Sequence, residues 1–599
     1  SGPPLEGIKA EQFSIAWEGS LRAESTGFYG LRLTTPNGAR LYLNVNIKEG
    51  DKNYRDDASK ESNPPLIDAW VSSGNKSRTE SARVFLQGGR EYPIRIDYFK
   101  YKERTGSIRF EWLPPNGAWS VPKDGQFSTR KGDQLIIART NFPPDDRSLG
   151  YERGSDMSKE WLSAVTRASL DVAEQVDSVL GHMSGIKSKD DPKKSEKLRA
   201  VARKILERAY RRPLTQQEEN QNINFIFEES ESPEIAVKRV VLLAIKSPHF
   251  LYPQLPGGKG SPYQIASRMA LGLWDSIPDD ELIGAARDGK LSDQDYVRSQ
   301  AERMLEDPRT RSKVIDFFYH WLDLDPERDL MKDNKIYPDF DLDKIADLRR
   351  SMNMFIEDIL WSESSDYREL LLSSHLHLNQ ELAEFYGQSI EGDKLKRVDF
   401  EKTERSGLIT HPYLLSHFSY SYNSSPIHRG VFLIRQMLGR TLKPPPQAVA
   451  FENQKLDPGL SMREKITHVT KDSNCMACHS IINSLGFSLE NYDGIGRWRD
   501  IENNKKVDSL TQFETRSGKN IALRGSRDLA EFIANDPNAQ KAFVQNLFEY
   551  MIKQPIQAYG ENVVNVLHGH FIKSNFSCKK LIVEILCLAS TKGIEPKES

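Results

Sequence analysis

A chain of 599 residues is long enough for about four domains, each with its own core. Its 83 Lys plus Arg against 85 Asp plus Glu leave a formal net charge of -2, which excludes a general polyanion binder and argues against nucleic acid as a partner. No run of about 18 apolar residues predicts a transmembrane segment, and the start Ser1-Gly2-Pro3-Pro4, with no initiator Met or apolar signal core, reads as a soluble, trimmed chain.

In chain order, the runs Tyr29 to Leu33, Arg40 to Asn44, Ala82 to Leu86, Tyr92 to Tyr98 and Ser107 to Trp112 alternate apolar and polar residues, with Gly, Asn and Pro between them. That pattern predicts β structure. After Pro122 the spacing becomes helical, in Leu198 to Tyr210, Ile235 to Ile245, Tyr263 to Leu273, Arg298 to Leu305, Lys313 to Leu322 and Leu348 to Ile359. Lys187 to Lys197 is charged throughout and reads as an exposed connector, while Asp279-Asp280-Glu281 reads as a helix start whose carboxylates complement the helix dipole. Pro444-Pro445-Pro446 is expected to form a polyproline segment that ends a helix around Val431 to Leu438. His375-Leu376-His377 places two metal-ligating side chains at strand spacing, without a visible third ligand.

The four cysteines, at 475, 478, 578 and 587, are too few for a disulfide-built scaffold. Cys578 and Cys587 fall in one helical pattern, about 13 Å apart along its axis, and read as two buried thiols that cannot pair there. Cys475-Met476-Ala477-Cys478-His479 is different. It is the attachment pentapeptide of c-type haem, in which residues at i, i+3 and i+4 share a helix face, so that both sulfurs reach the vinyl groups and the imidazole reaches the iron. With so few cysteines and histidines, a random match is expected in roughly one such chain in two thousand. The polar run Lys471-Asp472-Ser473-Asn474 supplies turn and N-cap residues just ahead of it. Two other readings compete: a zinc site, which needs ligands beyond this pair, and a thioredoxin-like redox pair, which wants a preceding strand.

The segment from Cys475 to His479, followed by Leu485-Gly486-Phe487-Ser488-Leu489-Glu490-Asn491-Tyr492-Asp493-Gly494-Ile495-Gly496-Arg497-Trp498-Arg499, resembles the planctomycete-type multi-module cytochrome c proteins. So do Phe142-Pro143-Pro144-Asp145, Arg211-Arg212-Pro213-Leu214-Thr215, Ser247-Pro248-His249-Phe250-Leu251-Tyr252, Leu273-Trp274-Asp275-Ser276-Ile277-Pro278-Asp279-Asp280 and Ser425-Pro426-Ile427-His428-Arg429-Gly430. The N-terminal strands, through Gly30-Leu31-Arg32-Leu33, Leu41-Tyr42-Leu43-Asn44, Leu66-Ile67-Asp68-Ala69-Trp70 and Phe110-Glu111-Trp112, resemble the protective-antigen-type β-sandwich domain. Relatives of that domain that bind sugar through calcium carry adjacent aspartates before the Leu-Tyr-Leu strand. Here Pro36-Asn37-Gly38 stands in that place and Asp56-Asp57 lies elsewhere. The cytochrome family usually has a proline where this chain has Ser484, and larger relatives carry a separate N-terminal cytochrome module that this sequence lacks.

The resemblance implies a multi-domain chain: a β-sandwich over residues 1–122, helical domains over 123–255 and 256–395, a haem c module over 396–510 and a C-terminal helical domain over 511–599. One covalent haem c is expected on Cys475 and Cys478, with His479 as the proximal iron ligand. His468, seven residues before Cys475, is the distal candidate, because the polar turn at Lys471 to Asn474 permits it to come back across the haem; His417, His428 and Met437 are further candidates. Arg497 and Arg499 pair either with haem propionates or with neighbours such as Glu490 and Asp493, and Trp498 is either haem packing or plain core. The expected function is extracytoplasmic electron transfer, in the periplasm or otherwise outside the cytoplasm, with a redox partner protein and a sandwich that docks to a polysaccharide, a cell-surface glycan or a partner. A haem-dependent oxidoreductase of peroxidase-like or polysaccharide-oxidising type and a structural surface protein are the alternatives.

Overall fold

The computed structural model describes residues 9–44, 65–146, 158–253, 260–442 and 457–592, apart from positions 73, 123, 124, 131, 133, 134, 189, 326, 327 and 329. Asp56-Asp57 and Pro444 to Pro446 lie outside the described residues. The chain divides into two compact units, one formed by Ser1–Pro115, Trp119–Lys313 and Leu586–Ser599, the other by Asn116–Ala118 and Val314–Ile585.

The first unit opens with eight strands: β1 (Gln12–Arg22), β2 (Gly27–Thr35), β3 (Gly38–Leu43), β4 (Ile67–Ala69), β5 (Arg78–Leu86), β6 (Glu91–Tyr101), β7 (Arg109–Leu113) and β8 (Phe127–Ser128). They pair antiparallel into a five-stranded sheet of order β4-β3-β6-β1-β8 and a three-stranded sheet of order β5-β2-β7. The two-residue period of β2 puts Tyr29, Leu31 and Leu33 inward, where they meet Leu21, Leu41, Val84, Ile94 and Trp112 from both sheets in one core. Asn37, in the turn where related domains carry aspartates, is fully buried. Its amide donates to Thr105 O, and its carbonyl accepts from Tyr98 Oη and Ser107 N, so the side chain serves as an internal polar bolt.

Helices follow. α1 (Lys159–Ser184), α2 (Lys194–Tyr210) and α3 (Pro233–Lys246) enclose a second core around Val176, Leu198, Leu206, Ala236 and Val240. The charged stretch read as a connector is one only as far as Lys193, since α2 takes up its last four residues. The acidic run at 279–281 begins α4 (Asp280–Arg287), with Asp279 as N-cap accepting from Leu282 N.

In the second unit, α5 (Leu342–Leu360) packs beside the buried strand β9 (His375–Leu378), which pairs with the largely exposed β10 (Lys396–Asp399). Next come α6 (Pro412–His417) and α7 (Pro426–Phe432), which runs on into a π-helical turn, Leu433–Met437. The helix expected over Val431 to Leu438 is thus a wider turn in its second half. α8 (Met462–Val469) and α9 (Ser473–Phe487) precede a hairpin of β11 (Leu510–Glu514) and β12 (Asn520–Arg524). α7 and α9 cross with their backbones almost touching: a Cβ on Gly430 would strike the carbonyl of Ile482, and one on Gly486 the carbonyl of Pro426. No helix among the described residues is long and apolar enough to cross a membrane. Cys578 is buried and Cys587 half-buried on the helix Cys578–Lys592, so the expectation of two fully buried thiols holds for the first only.

Candidate functional site

The polar run ahead of the pentapeptide places the helix start as its chemistry suggests, with Asp472 as N-cap and its carbonyl accepting from Cys475 N and Met476 N. The first two turns of α9 face solvent, with Cys475 half-buried and Cys478 exposed, while the far end is core: Ile482, Leu485 and Phe487 are buried, and Phe487 packs with Met462 and Ile466 of α8. Both thiols and the His479 ring therefore sit at the open end of a helix anchored at its other end.

A hydrogen-bond chain determines the state of His479. Its Nδ1 lies 3.0 Å from Asn483 Oδ1, one turn on, Asn483 Nδ2 donates to Thr470 Oγ1 at 2.9 Å, and Thr470 Oγ1 donates to Ile466 O at 2.8 Å. The Thr470 proton is used on Ile466, so the Asn483 amide must turn its N–H toward Thr470 and its oxygen toward His479. Nδ1 then carries the proton, and Nε2 is left with a bare lone pair, as a metal-ligating imidazole requires. Two accessible thiols at i and i+3, with an imidazole at i+4 in the right tautomer, are a donor set that fits covalent haem. Sequence reasoning missed Asn483, although a polar residue one turn after His479, between Ile482 and Leu485, was the available signal.

Behind the helix, two of the motif blocks lock together. Arg429, 1% exposed, donates to the carbonyls of Leu489, Tyr492 and Asp493 and to Ser419 Oγ, with Glu490 at 3.9 Å. Burial lowers this guanidinium to about 10, and burial likewise raises the Glu490 carboxyl above its usual range against the pull of Arg499 and Arg429. Arg499 is bonded to Glu490 and Glu502, Arg497 reaches Asp493 at 3.0 Å with 42% of its side chain exposed, and Trp498 stands edge-on to Tyr492. Gly496, at φ +77°, completes the Asp493 to Arg497 turn, whose amides at Ile495 and Arg497 donate to Asp493 Oδ1.

The distal candidates fall in different surroundings. His468 is exposed in the last turn of α8, and His428 is exposed beside Tyr420 with Nδ1 3.0 Å from Ser425 Oγ. Met437 is core. His417 is 2% exposed; burial, with Arg328 nearby, pushes it down to about 3. His375 and His377 are both buried on β9, and burial lowers His375 to about 4 and His377 below its usual value.

A protective-antigen-type sandwich joined to helical domains of the planctomycete-type, cytochrome c-associated kind is the class these features define. Three family matches carry it: residues 1–126 match the PA14 domain, 261–388 match PSD4, described as a protein of unknown function (DUF1592), and 405–502 match PSCyt3, described likewise (DUF1588). The last span contains the pentapeptide, Arg429 and the Asp493 to Arg499 turn. Among curated proteins, the anti-sigma-I factor RsgI3 of Acetivibrio thermocellus is 22% identical over 161 residues, covering 27% of this chain and 19% of that protein. No solved structure matches the chain.

Proposed function

We propose that this protein is an extracytoplasmic c-type cytochrome that carries one covalent haem on Cys475 and Cys478 and serves in electron transfer. The observation that carries the reading is the pairing of solvent-accessible thiols at i and i+3 with a His479 whose Nδ1–H is fixed on Asn483. When bound, haem c supplies a one-electron couple. The chain's own part is to hold the imidazole orientation through Asn483 and Thr470, to anchor the buried end of α9 through Gly430 and Gly486, and to brace the following loop with Arg429. Residues 396–510 would make up the haem module, with His468, exposed in the last turn of α8, as the second residue that would hold the iron. Arg497 is the arginine whose partly exposed guanidinium is available to a propionate, since Arg499 is held between Glu490 and Glu502.

The experiment is maturation. Chain produced with a c-haem attachment system should keep its haem after denaturation and show the mass of one haem, whereas Cys475→Ser with Cys478→Ser should show none. A wild-type chain with no added mass refutes the reading. We assign the sandwich to glycan docking: PA14 is a carbohydrate-binding type of domain, and Trp17 and Tyr101 on one sheet and Phe28 and Phe85 on the other stand exposed for stacking on sugar rings. Deleting residues 7–122 should lower retention on a polysaccharide panel; equal retention on every polysaccharide refutes that assignment.

A further inference from the structure

The second unit holds another group of ligating side chains, on different elements from the pentapeptide. His375 and His377 sit two residues apart on β9, so both project from the same face of the strand. Asp358, in the last turn of α5, faces them: its Oδ2 is 3.6 Å from His375 Nε2 and 3.8 Å from His377 Nε2, and one ligand atom from each of the three lies within 4.8 Å of the others.

Neither separation is a hydrogen bond. Ligands held about 2.0 to 2.1 Å from a shared tetrahedral ion are themselves roughly 3.3 to 3.5 Å apart, close to both distances. Nδ1 and Nε2 of His375 and Nδ1 of His377 are buried without a hydrogen-bond partner, and of these His375 Nε2 is the atom that faces Asp358. A buried imidazole nitrogen without a partner is costly, and an ion beside Asp358 would satisfy His375 Nε2. Asp358, with 45% of its side chain exposed, opens the cluster to solvent and gives an ion a way in.

We propose that Asp358, His375 and His377 form a binding site for one divalent transition-metal ion of the zinc type. Two imidazoles and one carboxylate are ligands such ions favour, and a fourth, solvent-facing position is left for water. Arg397 lies across the hairpin from His377 and 3.6 Å from Asp358 Oδ2, an ion pair with which an entering metal would have to compete. The site uses none of the haem-attachment residues, and its existence does not depend on haem.

The test is calorimetric titration of the full-length protein, stripped with a chelator, with Zn2+ as the only added metal. Wild type should bind one equivalent and show a higher melting temperature with zinc. Asp358→Asn, an exposed position where the fold should survive, should bind at least tenfold more weakly and lose the thermal shift, as should His377→Gln. Cys475→Ser with Cys478→Ser should keep both the equivalent and the shift, which separates this site from the thiols whatever the outcome for haem. No binding by wild type, undiminished binding by Asp358→Asn with an unchanged circular dichroism spectrum, or loss of the equivalent in the double cysteine variant would overturn the proposal.

Discussion

Replacing Asn483 with leucine removes the acceptor of the His479 Nδ1 proton and one bond received by Thr470, while nearly preserving volume. A neutral hydrogen bond of this kind contributes about 1 kcal/mol net, and leaving the buried Thr470 oxygen without the donor it receives from Asn483 costs about 1 to 3 kcal/mol of stability. Donation from Nδ1 makes the imidazole a stronger base toward iron and favours the ferric state. If about half to all of the bond's net energy differs between oxidation states, its loss raises the reduction potential by roughly 20 to 40 mV for one electron. Asn483→Asp, which offers a charged acceptor in the same place, should move the potential the opposite way. The assay is a spectroelectrochemical titration of haem-loaded wild type, Asn483→Leu and Asn483→Asp, with urea unfolding in parallel. Shifts of the same sign in both variants, or no shift in either, would refute the tautomer argument drawn from Thr470 and Ile466.

Substituting His468→Ala should open the sixth iron position, shift the spectrum toward high spin and admit cyanide; an unchanged low-spin spectrum would pass the role to His417, His428 or Met437. Gly486→Ala and Gly430→Ala each push a Cβ into a backbone carbonyl and should cost roughly 1 to 3 kcal/mol in urea unfolding, with α9 losing its seat, whereas Gly569→Ala, which has open space around it, should not. For His417 the folded value of about 3 lies below the unfolded value of about 6.5, so the unfolded chain takes up a proton that the folded chain refuses. Its stabilising contribution is complete above pH 6.5 and declines as pH falls from there toward 3, by up to about 2 kcal/mol at pH 5. His417→Gln should flatten that part of the acid limb of stability measured by urea unfolding between pH 7 and 5, and an unchanged slope would contradict the burial argument.

Local patterns were the legible part. The two-residue alternation at Tyr29, Leu31 and Leu33 marks an inward face because strand geometry alone fixes it, and the pentapeptide carries its helical geometry in its spacing. What stayed hidden depends on chain segments brought together from afar. Arg429 read as a neighbour of His428, yet its partners are carbonyls of residues 489, 492 and 493, and a backbone carbonyl has no signature in a sequence. Asp358 offered no hint of His375 and His377, because α5 and β9 meet only through packing. The π-helical turn at Leu433–Met437 was lost to periodicity, since its apolar residues fit an ordinary helix equally well.

The uneven setting of α9, open at Cys475 and Cys478 and wedged fast at Gly486, bears on how the protein is made. The sulfurs lie outside the contacts at Ile482, Leu485 and Phe487 that anchor the helix, so the thiols can be altered without disturbing that anchor. On the proposed reading, an attachment enzyme would meet a presented peptide end rather than a closed interior. A chain that had already folded would, on the same reading, still offer both thiols for modification.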